Sequence, residues 1–447
     1  MKKVRSQKSE VRKFIILTFV ILSFVFGINA QTSVSPDKSI TEFDVNGLKV
    51  IVKRRPSSPT VSAGLFTRGG VKNQTAKNAG IETLALATAT EASVKYPREV
   101  LRKEFARTGS AISGGAGYDF GVISLTSTRQ NFDKTWEIFT DIILNPAFTP
   151  QDFALARERL LTGLRNQSVS PDSSLGVLQD KVIYANHPYS NDPNGTIESV
   201  GNLKIEDLRL YHKNLLQTSR LLLVIVGDLD PLAVQKQITA SFGRLPRGDY
   251  KEQPVPRIGF AQPTLDVTSR TIPTNYVKGI FAAPSLADPD YYAMRVAMTI
   301  LQSRVYDEVR TKRNLSYAPS AEMENNAANT ANIYVTANDA NQSINLMLKE
   351  IGSMKSDLIE DDGFTGVPGY FLTTYYINQE TNSAQVAELA RYELIGGGWR
   401  NSLAFLDKIR EVTAKDVRAV SQKYMKNIRF VVVGDPAAVS REIFLQN

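Results

Sequence analysis

Cysteine is absent from the 447-residue chain, and histidine is nearly so, with only His187 and His212. Without thiols there are neither disulfides nor thiolate metal ligands, so stability must come from apolar cores. Two phosphate-binding signatures are missing as well. The Gly114-Gly115-Ala116-Gly117 cluster is followed by no Lys-Ser or Lys-Thr and opens no helix, which excludes a P-loop. The stretch Val224-Ile225-Val226-Gly227-Asp228 ends a strand pattern without G-x-G-x-x-G, so a dinucleotide site is unsupported.

Positive charge is scarcer than the formal +8 suggests. Residues 1–30 carry Lys2, Lys3, Arg5, Lys8, Arg12 and Lys13 against Glu10, so the chain without them has 8 − 6 + 1 = +3. A nucleic-acid role loses its main support. The same segment continues with the apolar run Phe14 to Ile28 and then Asn29-Ala30, the pattern of an export signal peptide. Its 15 apolar residues fall short of the roughly 20 that a spanning helix needs. The expectation is therefore an exported, periplasmic protein, held at a membrane only if the signal segment is retained.

The full chain is 42% hydrophobic and 22% charged, a globular composition long enough for two ordinary domains. The chain also repeats itself. Ile205-Glu206-Asp207-Leu208-Arg209, Leu221 to Val226 and Gly227-Asp228 are echoed by Ala414-Lys415-Asp416-Val417-Arg418, Phe430 to Val433 and Gly434-Asp435, the last pair 207 residues later. Both read as helix, buried strand and Gly-Asp turn. Val61 to Phe66 is echoed by Val277 to Phe281 at an offset of about 215. This period is too long for a solenoid, so each copy is expected to bury its own core and face its sibling.

The organisation that follows is a loose segment over 31–41, a first domain over 42–246, a linker over 247–264 and a second domain over 265–447. The linker rests on four prolines, Pro246, Pro254, Pro256 and Pro263, with interspersed charge. Asn46-Gly47 predicts a tight hairpin between Phe43-Asp44-Val45 and Leu48 to Val52, because both residues accept the positive φ of a type I′ turn. Ala79 to Ser93 predicts a buried helix. Phe132, Trp136, Phe139 and Ile143 mark one helical face. Pro150 to Gln167 predicts another helix, Pro289 to Lys312 one more, and the acidic stretch from Glu360 to Gly369 a solvated loop. Strands first and helices over one face give an α+β class, two homologous α/β-sandwich domains with mostly antiparallel sheets.

At this point the residues resemble a known family. Gly64-Leu65-Phe66-Thr67-Arg68-Gly69-Gly70 leading to Ala79-Gly80-Ile81, then Leu144-Asn145-Pro146-Ala147-Phe148, His187-Pro188-Tyr189 with Gly195-Thr196, Val226-Gly227-Asp228, and Arg310 through Leu315-Ser316-Tyr317 follow one another in the order of its landmarks. The chain is similar, over about residues 41–447, to the insulinase, pitrilysin and mitochondrial-processing-peptidase relatives, the inverzincin metallopeptidases. The resemblance implies a two-copy half-shell whose partner half-shell closes a chamber around a peptide. In an active half, zinc sits on an H-x-x-E-H helix with a glutamate from a later helix, and the motif glutamate is general base for zinc-bound water. Positions i and i+4 share a helix face, so two imidazoles reach one metal.

The equivalent helix here reads Gly80-Ile81-Glu82-Thr83-Leu84-Ala85-Leu86-Ala87. By the resemblance, Thr83 and Ala87 replace the two histidines, Leu86 replaces the base, and the later glutamate falls near Thr162-Gly163. The implied catalytic set and metal site are therefore empty, with no cofactor in this chain and zinc in its partner. Glu82, Glu91 and Glu158 offer only oxygen donors, which catalytic zinc rarely takes alone. Glu82 and Glu91 read as helix-surface charge. His187 reads as a structural loop residue and His212 as a structural or surface residue at a helix end.

Arg310 and Tyr317 are kept, and in active relatives such a pair faces the bound peptide and orients its carbonyl. Asn314 stands in the turn between them where the family has glycine, and Asn accepts the left-handed region. The resulting expectation is a catalytically inactive subunit of an exported metallopeptidase heterodimer, with Arg310 and Tyr317 binding the peptide substrate at an active H-x-x-E-H partner. Two other readings are a peptide-binding or envelope scaffold without an enzymatic partner, and a metallopeptidase with atypical ligands.

Overall fold

Asn46 and Gly47 adopt φ of 53° and 89°, and the chain reverses there between β1 (Ile40–Val45) and β2 (Leu48–Arg54). The computed structural model describes Pro36 to Gln446 except Ser168, residues 361–363 and Thr365. The signal segment and the acidic pair Asp361-Asp362 lie outside the described residues.

β1 and β2 join β3 (Thr60–Arg68), β4 (Ala111–Ala116), β5 (Phe120–Thr128) and β6 (Leu221–Gly227) in a sheet of order β1-β2-β6-β3-β5-β4. A second sheet, of order β7-β11-β8-β10-β9, comprises β7 (Thr264–Ser269), β8 (Asn275–Ala282), β9 (Ser320–Met323), β10 (Thr330–Ala337) and β11 (Arg429–Gly434). In each sheet one pair is parallel, β2 with β6 and β7 with β11, and the others are antiparallel. The duplication is thus a repeat of topology, with β1 the strand that has no counterpart.

The helices that carry the packing are α1 (Ile81–Ala89), α2 (Phe132–Leu144), α3 (Pro150–Asn166), α4 (Pro171–Ile183), α5 (Ile205–Leu215), α6 (Tyr291–Tyr306), α7 (Ala340–Ser356), α8 (Val367–Asn378), α9 (Asn382–Ile395) and α10 (Ala414–Tyr424). Threonine or serine side chains cap α3, α4, α9 and α10, each accepting from a backbone N–H of the first turn. The helix expected over 289–312 is observed from Tyr291, α6 continuing without a break from Tyr306 into a π-turn over Asp307–Thr311. Residues 360–369 are not all loop, since α8 begins at Val367.

Each sheet has one face on its own helices and the other on a helix of the opposite half. Leu223 and Ile225 of β6 pack with Phe132, Trp136 and Phe139 of α2, whereas the alternate residues Leu222, Val224 and Val226 pack with Val386, Leu389 and Ala390 of α9 and with Trp399. Reciprocally, Val431 and Val433 of β11 and Ile280 of β8 pack with Leu175, Ile183, Tyr184 and Tyr189 from α4 and its following loop. This exchange explains why β6 is buried at every position: a strand covered on both faces loses the usual alternation. It also corrects the expectation that helices cover one face, while each copy does bury a core of its own and the exchanged helices add shared clusters to it. Residues 246–263 have no helix or strand, yet Val255, Ile258 and Phe260 pack against the α4 cluster.

Candidate functional site

The helix that resembles the zinc-binding element, α1, starts at Gly80 with φ 88° and is closed down on its sheet by two glycines. A Cβ on Gly114 would lie 2.5 Å from the Leu86 carbonyl oxygen, and one on Gly121 would lie 2.8 Å from the Leu86 side chain. Gly114 and Gly115 lie within β4 rather than interrupting a strand. The glycine cluster therefore serves close packing of a helix on an edge hairpin.

On α1 the three motif positions have separate fates. Thr83 and Ala87 lie four residues apart on the half-exposed face, and the Thr83 hydroxyl donates to the Pro193 carbonyl at 2.6 Å. Leu86 is 2% exposed and belongs to the core with Ile123 and Leu125. A carboxylate introduced there would enter an apolar core rather than a solvated cleft. Thr162 and Gly163 of α3 are exposed. Neither helix offers imidazole nitrogen or carboxylate at these positions, so this donor set does not fit zinc. Among the described residues, no three His, Cys, Asp or Glu side chains are grouped so as to hold a metal ion.

Glu82 departs most from its sequence reading. It is fully buried, not surface charge, and accepts hydrogen bonds from the Thr67 hydroxyl and from the Tyr211 hydroxyl at 2.7 Å, with Arg220 at 3.9 Å. Burial pushes its carboxyl above the usual range, against the pull of Thr67, Tyr211 and Arg220. Its position was legible in principle: Glu82, Ala85, Leu86 and Ala89 follow i, i+3, i+4, i+7, the spacing of a core-facing stripe. Glu91 is mostly covered and pairs with Arg98 at 3.1 Å and also with Arg159.

The two histidines are structural. His187 caps the turn after α4, its Nδ1 accepting from the Tyr189 N–H at 3.1 Å and its Nε2 lying 2.9 Å from the Pro256 carbonyl oxygen. His212, on α5, is 6% exposed, its ring 5.4 Å from that of Phe148. Burial lowers its pKa to about 4, so it is neutral at pH 7. A bridge missed by sequence reading joins the halves nearby. Buried Asp119 accepts from the Tyr189 hydroxyl and from the Ala327 N–H at 2.9 Å, and the Tyr189 oxygen accepts from the Ala328 N–H at 3.2 Å.

Arg310 lies in the π-turn that follows α6, and its guanidinium stands 4.9 Å from the centre of the Tyr317 ring. The Arg310 side chain also donates to Asn314, whose φ of 51° is the left-handed conformation expected of that turn. Tyr317 is 79% exposed, so its ring and hydroxyl face outward with only Arg310 behind them.

A family model described as "Insulinase (Peptidase family M16)" matches residues 49–191, and one described as "Peptidase M16 inactive domain" matches residues 202–365. The chain is 20% identical over 412 residues to an uncharacterized zinc protease of Mycobacterium leprae, covering 89% of this chain and 92% of that protein. The crystal structure of a peptidase M16 inactive domain from Pseudomonas fluorescens superposes with a TM-score of 0.82 at 18% identity, over 89% of this chain and 98% of that one. The periplasmic protease PqqL of Escherichia coli superposes with a TM-score of 0.74 at 12% identity, over 89% of this chain but 46% of that one.

Proposed function

The chain belongs to the insulinase-like peptidase family M16, and on that footing we propose that it is a catalytically inactive, exported half-shell that pairs with a zinc-bearing H-x-x-E-H relative. The observation that carries this reading is the state of α1: Thr83 is bonded to Pro193, Ala87 has no ligating atom, and Leu86 is committed to the core. The helix keeps its place in the fold and has lost its chemistry. Pairing is supported by length, because the chain accounts for 46% of PqqL while being covered over 89% of itself.

In the proposed pair, the partner supplies metal, water activation and base. This chain supplies the facing wall of the chamber and presents the exposed Tyr317 ring with Arg310 stacked behind it. A guanidinium offers a rigid fork of donors to a peptide carbonyl, and a phenol adds one more at an angle set by its ring. Such donors lower the barrier only where they meet developing negative charge.

Co-expression with an H-x-x-E-H relative encoded alongside it is the test. A stable complex whose peptidase activity exceeds that of the relative alone is expected. Separate elution of the two chains, with activity independent of this one, would contradict the pairing.

A further inference from the structure

Arg295 of α6 and Arg391 of α9 line one cavity of about 360 Å³ in the second half of the chain. Arg295 Nε is buried and makes no hydrogen bond. Neither guanidinium forms an ion pair or side-chain hydrogen bond with a described residue. The buried Arg295 Nε loses hydration without compensation, and the two half-buried arginines also repel each other. The acid that shares the cavity, Glu388, is divided among several partners: it accepts from the Gln379 amide and interacts with Lys53 more strongly than with Arg391.

Much of the rest of the wall is aromatic, with Asn325, Thr374 and Asn378 adding polar groups. Tyr291, Tyr370, Phe371, Tyr375, Tyr392 and Phe405 surround the arginines, and the Tyr375 and Phe405 rings stack at an interplanar angle of 10°. Two fixed cations within an aromatic enclosure suit a ligand with an anionic end and an apolar body. The cavity volume lies at the lower end of ligand sites, enough for one large side chain and its carboxylate.

One further feature says what the body is attached to. Arg295 and Tyr370 also line a groove of about 800 Å³ that passes Ser320 to Met323. Those residues are β9, the edge strand of the second sheet, whose outer backbone groups have no strand partner. The Ala321 N–H is taken by the Gln302 side chain, and the other edge groups beside the groove are suited to hydrogen-bonding an extended chain.

We propose that this half of the protein captures the C-terminal end of a peptide, with the terminal carboxylate between Arg295 and Arg391, an apolar or aromatic last side chain among the tyrosines, and the preceding residues along β9. The site is separate from Arg310 and Tyr317 and needs no partner chain. A peptide held there by its end has its upstream residues free to extend beyond the groove.

The test is binding to the full mature chain, measured by fluorescence anisotropy with a labelled pentapeptide ending in Leu-Phe as the free acid and as the C-terminal amide, with 3-phenylpropionate as competitor. The acid is expected to bind at least about tenfold more tightly than the amide, since each arginine contact to a carboxylate is charge-assisted. Arg295→Met and Arg391→Met are each expected to abolish that difference, and Arg391→Lys to keep part of it with the circular dichroism spectrum unchanged. Equal binding of acid and amide would overturn the proposal. So would competition by 3-phenylpropionate as strong as by the unlabelled peptide, which would assign the cavity to small aromatic acids instead.

Discussion

Arg310→Ala is expected to lower peptide turnover by the reconstituted pair about 10²-fold while the pair elutes unchanged, the loss typical when one donor to a developing oxyanion is removed. The local structure supports this separation of effects. Arg310 and Tyr317 are outside the cores, and no buried residue depends on either for a hydrogen bond. The π-turn over Asp307–Thr311 adds a residue to the helical turn, and Asn314 then reverses the chain in the left-handed region, so that Tyr317 returns beneath the guanidinium. Arg310→Lys keeps the charge and loses the fork, and is expected to recover only a minor part of the turnover. Tyr317→Phe separates the hydroxyl from the stacked ring. Steady-state kinetics with size-exclusion chromatography reads both quantities, and turnover unaffected by Arg310→Ala would make the pair inherited scaffold.

The largest effect on stability is expected at Trp399. Its indole is 1% exposed, packs against the outer face of the first sheet with Leu389 and Ala390, and donates to Glu42 of β1. Trp399→Ala removes that packing and leaves a cavity between halves that share their covering helices, at a cost of about 3–5 kcal/mol. Trp399→Phe keeps most of the apolar contact but loses the bond to Glu42, and should cost clearly less. Urea unfolding followed by circular dichroism should show one transition for the wild type, because removing α9 exposes Leu222, Val224 and Val226, and removing α4 exposes Val431 and Val433. Two well-separated transitions would contradict the reciprocal cover.

Local chemistry made part of this structure legible from sequence. Asn46-Gly47 specifies its turn through backbone preference alone, Gly396 to Gly398 end α9 as a glycine run does, and the repeat around Gly227 and Gly434 marks equivalent strands. Thr83, Leu86 and Ala87 could be read as chemically silent because residue type decides ligation before any geometry. What was not legible depends on partners distant in sequence. Nothing in Asn382–Ile395 says that its apolar residues cover β3 and β6 of the other half rather than their own sheet. The burial of Glu82 follows from its helical spacing, but the partners that satisfy it, Thr67, Tyr211 and Arg220, lie on three separate segments that local sequence does not connect. Likewise Arg295 and Arg391, 96 positions apart, meet only once α6 and α9 are packed.

The silence of α1 is tested most directly by elemental analysis of the homogeneous lone chain after incubation with zinc, paired with a chelator-sensitive peptide assay on the same sample. No stoichiometric zinc and no hydrolysis are expected. One zinc per chain, with hydrolysis that a chelator abolishes and zinc restores, would contradict it.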